Sequence, residues 1–238
     1  MFEKFIPYHV LSRAVDNKPI FADQEDCARF LFQIYANNVG KPGLNLYRKN
    51  MKDISESLLK GEEISANLVV FNSAPLVDIL SFSLVNDHVH FILSPNVENG
   101  IAKYIHKLNL SFAKYFNMKH KREGILFNKP YKITPLKSDD QLDLVIRYVN
   151  VKNPLDFYDA NWQKKLDNWQ KAFDFLDSYK FSSYPDLFGQ RNSRILAPEV
   201  ILNKYLGEKS NRNKIENLDF IEDYLNQKLT NYKALFLE

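Results

Sequence analysis

Residues 75–95 read PLVDILSFSLVNDHVHFILSP. Two apolar runs rich in branched and aromatic side chains, 75–85 and 88–95, flank Asn86-Asp87, and a two-residue turn signal between such runs predicts an antiparallel hairpin. In the second arm, His88-Val89-His90 follows the period of a strand, which sends both imidazoles to one face. Two imidazoles on one face can chelate a divalent metal; the plain alternative is a pair of surface or hydrogen-bonded histidines. Their setting, between Val85 and Phe91-Ile92-Leu93 on what should be a central strand, makes unpartnered polar rings costly. A third ligand would be an oxygen or nitrogen donor from elsewhere, since the chain holds no HExxH or Asp-rich metal loop.

On the N-terminal side, 5–15 (FIPYHVLSRAV) reads as a strand and 21–39 as a helix with Asp23 near its start, acids first as the helix dipole favours. Cys27 shares a stripe with Phe30, Leu31 and Ile34, which makes it a small core hydrophobe rather than a reactive thiol. Gly40, Pro42 and Gly43 stop that helix. A further helix over 44–60 and a polar loop to about 74 complete an insertion, 40–74, with no evident chemistry.

On the C-terminal side, Ile101, Tyr104, Ile105, Leu108, Phe112, Tyr115 and Phe116 form the apolar stripe of a helix over 99–120. Helical spacing favours core packing for these aromatics over base stacking. The stretch 130–138 (PYKITPLKS) reads as an edge strand containing Pro135, and Ser138 caps a helix running toward Pro154. The order is βαββαβ plus a helix, an α+β, ferredoxin-like antiparallel sheet with helices on one face. Residues 1–154 are expected to form this domain, with 40–74 inserted. Residues 155–238 should be a helical C-terminal extension, with Trp162, Trp169, Phe173 and Leu176 at helical spacing, then PEVILNKYLG and IENLDFIEDYLNQKL.

The 238 residues are 45% hydrophobic and 14% aromatic, enough for a sizeable core and unlike a disordered chain. A lone cysteine cannot close an intramolecular disulfide, and no CxxC pair or Cys/His cluster suggests zinc, so a cytoplasmic protein is expected. The start MFEKFIPYHVLSR has no secretory pattern, and no run of about 18 apolar residues predicts a membrane span. The net charge of +3 hides a gradient: −3 over 1–100, +7 over 101–154 and −1 over 155–238. Lys103, Lys107, Lys114, Lys119, Lys121, Arg122, Lys129, Lys132 and Lys137 make the middle segment a candidate phosphate-binding surface, against the plain reading of a solvated helix face and polar loop.

The strand ending in NDHVHFIL resembles the His-hydrophobic-His (HUH) motif of single-tyrosine transposases, of the type similar to REP-associated tyrosine transposases. Further segments match in order: YHVLSRAVDNKPIFADQEDCARFLF (8–32), LNLSFAKYFNMKHKREGILFNKPYK (108–132), SDDQLDLVIRYVNVKNP (138–154) and YKFSSYPDLFG (179–189). The resemblance covers roughly 5–39 and 75–190. It makes Tyr148 the counterpart of the nucleophilic tyrosine, although Tyr148 could instead extend the core face of Leu142, Val145, Ile146 and Val149. One departure stands out. The family pattern puts Asn four residues after the tyrosine, where it completes the metal site; here Lys152 holds that place and Asn153 follows at a spacing of five. A regular helix carries Asn153 away from the tyrosine, and a bulge or an early helix end near Pro154 would bring it back.

What the resemblance implies is cleavage and rejoining of single-stranded, hairpin-bearing DNA through a 5′-phosphotyrosine. A divalent metal, Mg²⁺ or Mn²⁺, would be held by His88, His90 and, more weakly, Asn153. Lys103, Lys107, Lys114, Arg122 and Lys132 are the candidate nucleic-acid contacts, with no membrane partner and a homodimer as one candidate assembly. His9, His106 and His120 receive no catalytic role. Two alternatives stay open: a domesticated DNA-binding protein without cleavage activity, favoured by the Lys152/Asn153 shift, and a metal phosphodiesterase in which water attacks.

Overall fold

The computed structural model describes residues 6–43, 49–72, 74–159, 161–162, 169–209 and 215–237. The hairpin of the sequence reading is its centre. Strands β4 (Val77–Val85) and β5 (His88–Pro95) pair antiparallel through the Asn86-Asp87 turn, with Val85 opposite His88. On its other side β5 pairs with β1 (Tyr8–Arg13), which in turn pairs with β6 (Lys132–Pro135), so the four strands lie in the order β4-β5-β1-β6, all antiparallel. With α1 (Gln24–Val39) after β1 and α3 (Gly100–Lys119) after β5, this is the expected ferredoxin-like arrangement. Asp23 caps α1 by accepting the Glu25 amide, and Ser138 caps α4 (Asp139–Arg147) by accepting that of Gln141.

Alternate residues of the same strands face opposite ways. Val10, Ser12, Phe82, Leu84, Val89 and Phe91 face α1 and α3: the Phe91 ring meets Tyr104 edge-on at 6.0 Å, and Ser12 exchanges hydrogen bonds with Asn109 of α3. Beneath them Phe21, Phe30 and Phe112 cluster at 4.8–5.7 Å. Cys27 is buried there, its thiol against the Phe21 carbonyl, and burial pushes it up to about 12, so it is the inert core residue expected. At Leu80 the register slips by one residue, which turns Ser81 and Ser83 to the opposite face of the sheet from Ile79.

Two parts differ from expectation. The insertion contains α2 (Met51–Leu59), shorter than 44–60, with 44–48 outside the described residues. Its polar loop also holds a strand, β3 (Val69–Phe71), which pairs with β2 (Gly40–Pro42) directly after α1. The helix leading to Pro154 does not end there. After α4 the chain makes a π turn over Tyr148–Lys152 and continues as α5 (Asn153–Tyr158), with Pro154 as its second residue.

The C-terminal helices α6 (Trp169–Ser178), α7 (Tyr184–Leu187), α8 (Glu199–Leu206), α9 (Ile215–Leu225) and α10 (Lys233–Phe236) follow. This region closes the outer edge of β4: the amides of Leu84, Ser183 and Ala197 bond to the carbonyls of Phe181, Phe82 and Ile79. An edge that would otherwise invite another chain is thereby covered. No described helix is long and apolar enough to cross a membrane.

Candidate active site

The face of the sheet turned away from α1 and α3 carries His88, His90 and Ile92 of β5, His9, Leu11 and Arg13 of β1, and Lys132 and Thr134 of β6. The strand period therefore holds: His88 and His90 share a face, their rings 4.9 Å apart. Strand β1 adds a third imidazole. His9 Nε2 lies 2.8 Å from His90 Nδ1, and His9 Nδ1 lies 2.5 Å from the carbonyl oxygen of Leu235. His88 Nδ1 is 2.6 Å from Asp87 Oδ1, and Arg13 Nε stands 3.7 Å from the other oxygen of that carboxylate.

Burial decides the charge of these rings. Desolvation brings His9 down to about 4 and lowers His88 and His90 as well, the last also through the neighbouring histidines. Asp87 is held below the usual carboxylate range, first by its hydrogen bond to His88. At neutral pH the site thus holds neutral imidazoles beside an ionised carboxylate.

Tyr148 reaches this face from the π turn. Its ring is fully buried, with centroids 5.7 Å from His90 and 6.2 Å from His9, both edge-on. The Phe236 ring of α10 stacks on it at 4.3 Å and 10°. The Lys152 ammonium stands 5.4 Å from the Tyr148 ring centre and 3.1 Å from Asp156.

In the π turn the Asn153 amide bonds to the Tyr148 carbonyl, five residues back. This bears on the five-residue spacing. An α-helix at ~100° per residue would rotate Asn153 about 140° from the tyrosine, whereas a π turn of roughly 4.4 residues brings it to about 50°, close to the ~40° of an ordinary fourth residue. The extra residue is absorbed, and Asn153 shares the tyrosine's side of the helix. Arg147, immediately before, is fixed by Asp143, Glu216 and Asn217. Asn150 is tied to Ser81 and Ser183 at 2.7 Å each, pinning the turn to β4.

Among the described residues no cluster of three or more His, Cys, Asp or Glu is arranged to hold a metal. The candidate donors are of another kind, the imidazoles of His88 and His90 and the amide of Asn153, since both nitrogens of His9 are engaged. Two buried atoms of that set have no hydrogen-bond partner among the described residues, His90 Nε2 and Asn153 Nδ2. A half-turn of the Asn153 amide exchanges its nitrogen for its oxygen, so an imidazole lone pair and an amide oxygen fit a hard or borderline divalent ion.

The five cationic candidates do not gather at one place. Lys132 alone among them lies on the histidine face, its ammonium 3.2 Å from the Leu237 carbonyl oxygen. Lys103, Lys107 and Lys114 are on α3, behind the sheet, and Lys107 is committed to the Asn37 and Gly40 carbonyls at the end of α1. Arg122 ties down its own loop through Asn117 and Ile125. Lys114 and Lys129 instead line a cavity of about 530 Å³ between α3 and residues 124–131, with the exposed Leu110 and Ile125. His9 is the site residue that the sequence reading left without a role. Its signal was the same period of two that joins His88 to His90, but only the pairing of β1 with β5 brings it alongside them.

The ferredoxin-like sheet thus carries three buried histidines on one face, with Tyr148 laid against them. The family model described as "Transposase IS200 like" matches residues 60–152, a stretch that includes His88, His90 and Tyr148. No curated protein matches the chain. A solved REP-associated tyrosine transposase bound to a REP hairpin is similar at 10% identity and a TM-score of 0.45, over 83% of this chain and 86% of that one.

Proposed function

We propose that this protein is a metal-dependent transposase that cleaves and rejoins single-stranded, hairpin-bearing DNA, with Tyr148 as nucleophile. The observation that supports this is the packing of the Tyr148 ring against His90 from a π turn whose five-residue step ends at Asn153. The phenol oxygen attacks a backbone phosphorus, the bond from phosphorus to the 3′-oxygen breaks, and the phenol's proton ends on the leaving oxygen as a 3′-OH. The 5′-phosphate stays on Tyr148, and a second 3′-OH can reverse the step with no outside energy source. His88, His90 and Asn153 would hold a divalent ion, which would supply Lewis-acid stabilisation of the phosphate charge. Lys152, beside the tyrosine ring, favours the negative charge that develops on the phenol oxygen, and Lys132 and Arg13 border the same face for backbone phosphates.

The Phe236 ring covers Tyr148, so attack requires that ring to turn off the phenol. The same burial favours a second reading, a DNA-binding protein that no longer cleaves. One assay separates them: labelled hairpin-bearing single-stranded DNA with Mn²⁺ or Mg²⁺, followed by denaturing electrophoresis. The transposase reading expects a denaturation-resistant adduct from the wild type, more of it from Phe236→Ala, and none from Tyr148→Phe. Binding with no cleavage by either of the first two supports the second reading, and cleavage by Tyr148→Phe points to attack by water.

A further inference from the structure

The hydrogen-bond chain from Leu235 through His9 to His90 has a direction, and that direction fixes which nitrogen of His90 is bare. A carbonyl oxygen only accepts, so His9 Nδ1, 2.5 Å from the Leu235 oxygen, carries the proton of that ring. A neutral imidazole has one N–H, which leaves His9 Nε2 as an acceptor. The 2.8 Å contact to His90 Nδ1 then requires His90 to donate from Nδ1, and His90 Nε2 is left with a lone pair. That Nε2 is the buried atom with no partner among the described residues.

We propose that His9 is a positioning residue: with the Leu235 carbonyl it locks His90 in the Nδ1–H tautomer, so that the Nε2 lone pair is presented to the metal. The inference rests on the metal site proposed above. His88 is held in the same tautomer by other means, since Asp87 Oδ1 accepts from its Nδ1. The site therefore prepares its two imidazoles by two independent routes. One is a carboxylate from the adjacent turn residue. The other is an imidazole on the neighbouring strand, whose own state is set by the C-terminal segment. Partners of this kind, behind a ligand, orient the ring and raise its basicity.

The test uses the full-length, metal-free protein. Long-range ¹H–¹⁵N spectra of the histidine rings report which nitrogen is protonated, and titration calorimetry with Mn²⁺ alone reports affinity. In the wild type, His90 is expected as the Nδ1–H form, against the Nε2–H form that free histidine prefers. His9→Phe removes the acceptor, so His90 should lose the fixed tautomer and Mn²⁺ affinity should fall by about 10- to 100-fold. His9→Gln can accept from His90 and donate to Leu235 at once, and should restore both. An Nε2–H His90 in the wild type, or one tautomer shared by all three proteins, overturns the proposal; the wild-type spectrum decides even if His9→Phe fails to fold. Mn²⁺ affinity unchanged in His90→Ala would instead strike the metal site, and leave the tautomer result standing.

Discussion

The two faces of the central sheet are built from alternate residues of the same strands, yet they are made to opposite rules. Behind the sheet, Val10, Val89 and Phe91 meet α1 and α3 through apolar surface. In front, His9, His88 and His90 are buried as well, but as polar rings whose partners are an imidazole, a carboxylate and a backbone carbonyl. Burying apolar area stabilises the fold directly, at roughly 25 cal/mol per Å². Burying imidazoles costs stability unless each N–H finds an acceptor, and it leaves His90 Nε2 unsatisfied. A sheet can carry such a cost on one face because the other supplies the core.

The largest expected contrast comes from one substitution on each face. Tyr148→Phe should abolish the covalent DNA adduct while the fold survives, read by denaturing gel and by circular dichroism. Phe91→Ala should cost about 3–5 kcal/mol of stability through the cavity it leaves, read by denaturant unfolding, with loss of activity only in step with loss of folded protein. Equal effects of both substitutions on adduct yield per folded molecule would erase the distinction between the faces.

How much of this contrast can be read from the sequence depends on how local its cause is. The hairpin, α1 with its Asp23 cap, α3 and the shared face of His88 and His90 follow from nearest-neighbour periodicity. So does the inert Cys27. The role of His9 does not, because it depends on the pairing of β1 with β5, between residues about eighty positions apart. The β2–β3 pair was invisible for a similar reason: three-residue strands hold no countable alternation. The π turn lay between these cases. Its need was legible in the five-residue spacing of Tyr148 and Asn153, but its presence depends on anchors at Ser81, Ser183 and Glu216. Nothing in the run of Phe236 announced that it would cover Tyr148.

A pH titration sharpens the comparison next. His9 falls from its ordinary value of 6.5 to about 4 on folding. The unfolded chain therefore binds more protons between those values. The contribution of the buried neutral ring is fully present above pH 6.5, and is lost as the pH drops toward 4. For His9 alone the loss is roughly 3 kcal/mol, with His88 and His90 adding in the same direction. Chemical unfolding at pH 7, 5.5 and 4.5 should show the decline, and it should be smaller in His9→Gln. A wild type equally stable across that range would mean that the histidine face is not dry.

A smaller effect separates Asn153 from its neighbour. Asn153→Ala should weaken Mn²⁺ binding by on the order of tenfold, while Lys152→Asn should not strengthen it, because the π turn already gives Asn153 the place of a fourth residue. The opposite pattern would return the site to regular helical geometry. Smallest of all, Ser138→Ala removes the cap of α4 and should cost about 1 kcal/mol by thermal unfolding, with no change in Mn²⁺ affinity.

The most direct test of the central claim is to digest the denaturation-resistant product of protein, hairpin-bearing single-stranded DNA and Mn²⁺, and to locate the linkage by tandem mass spectrometry. The account predicts a nucleotide 5′-phosphate esterified to Tyr148, with a free 3′-OH on the released strand. A linkage at another residue, or cleaved DNA with no protein attached, would contradict it.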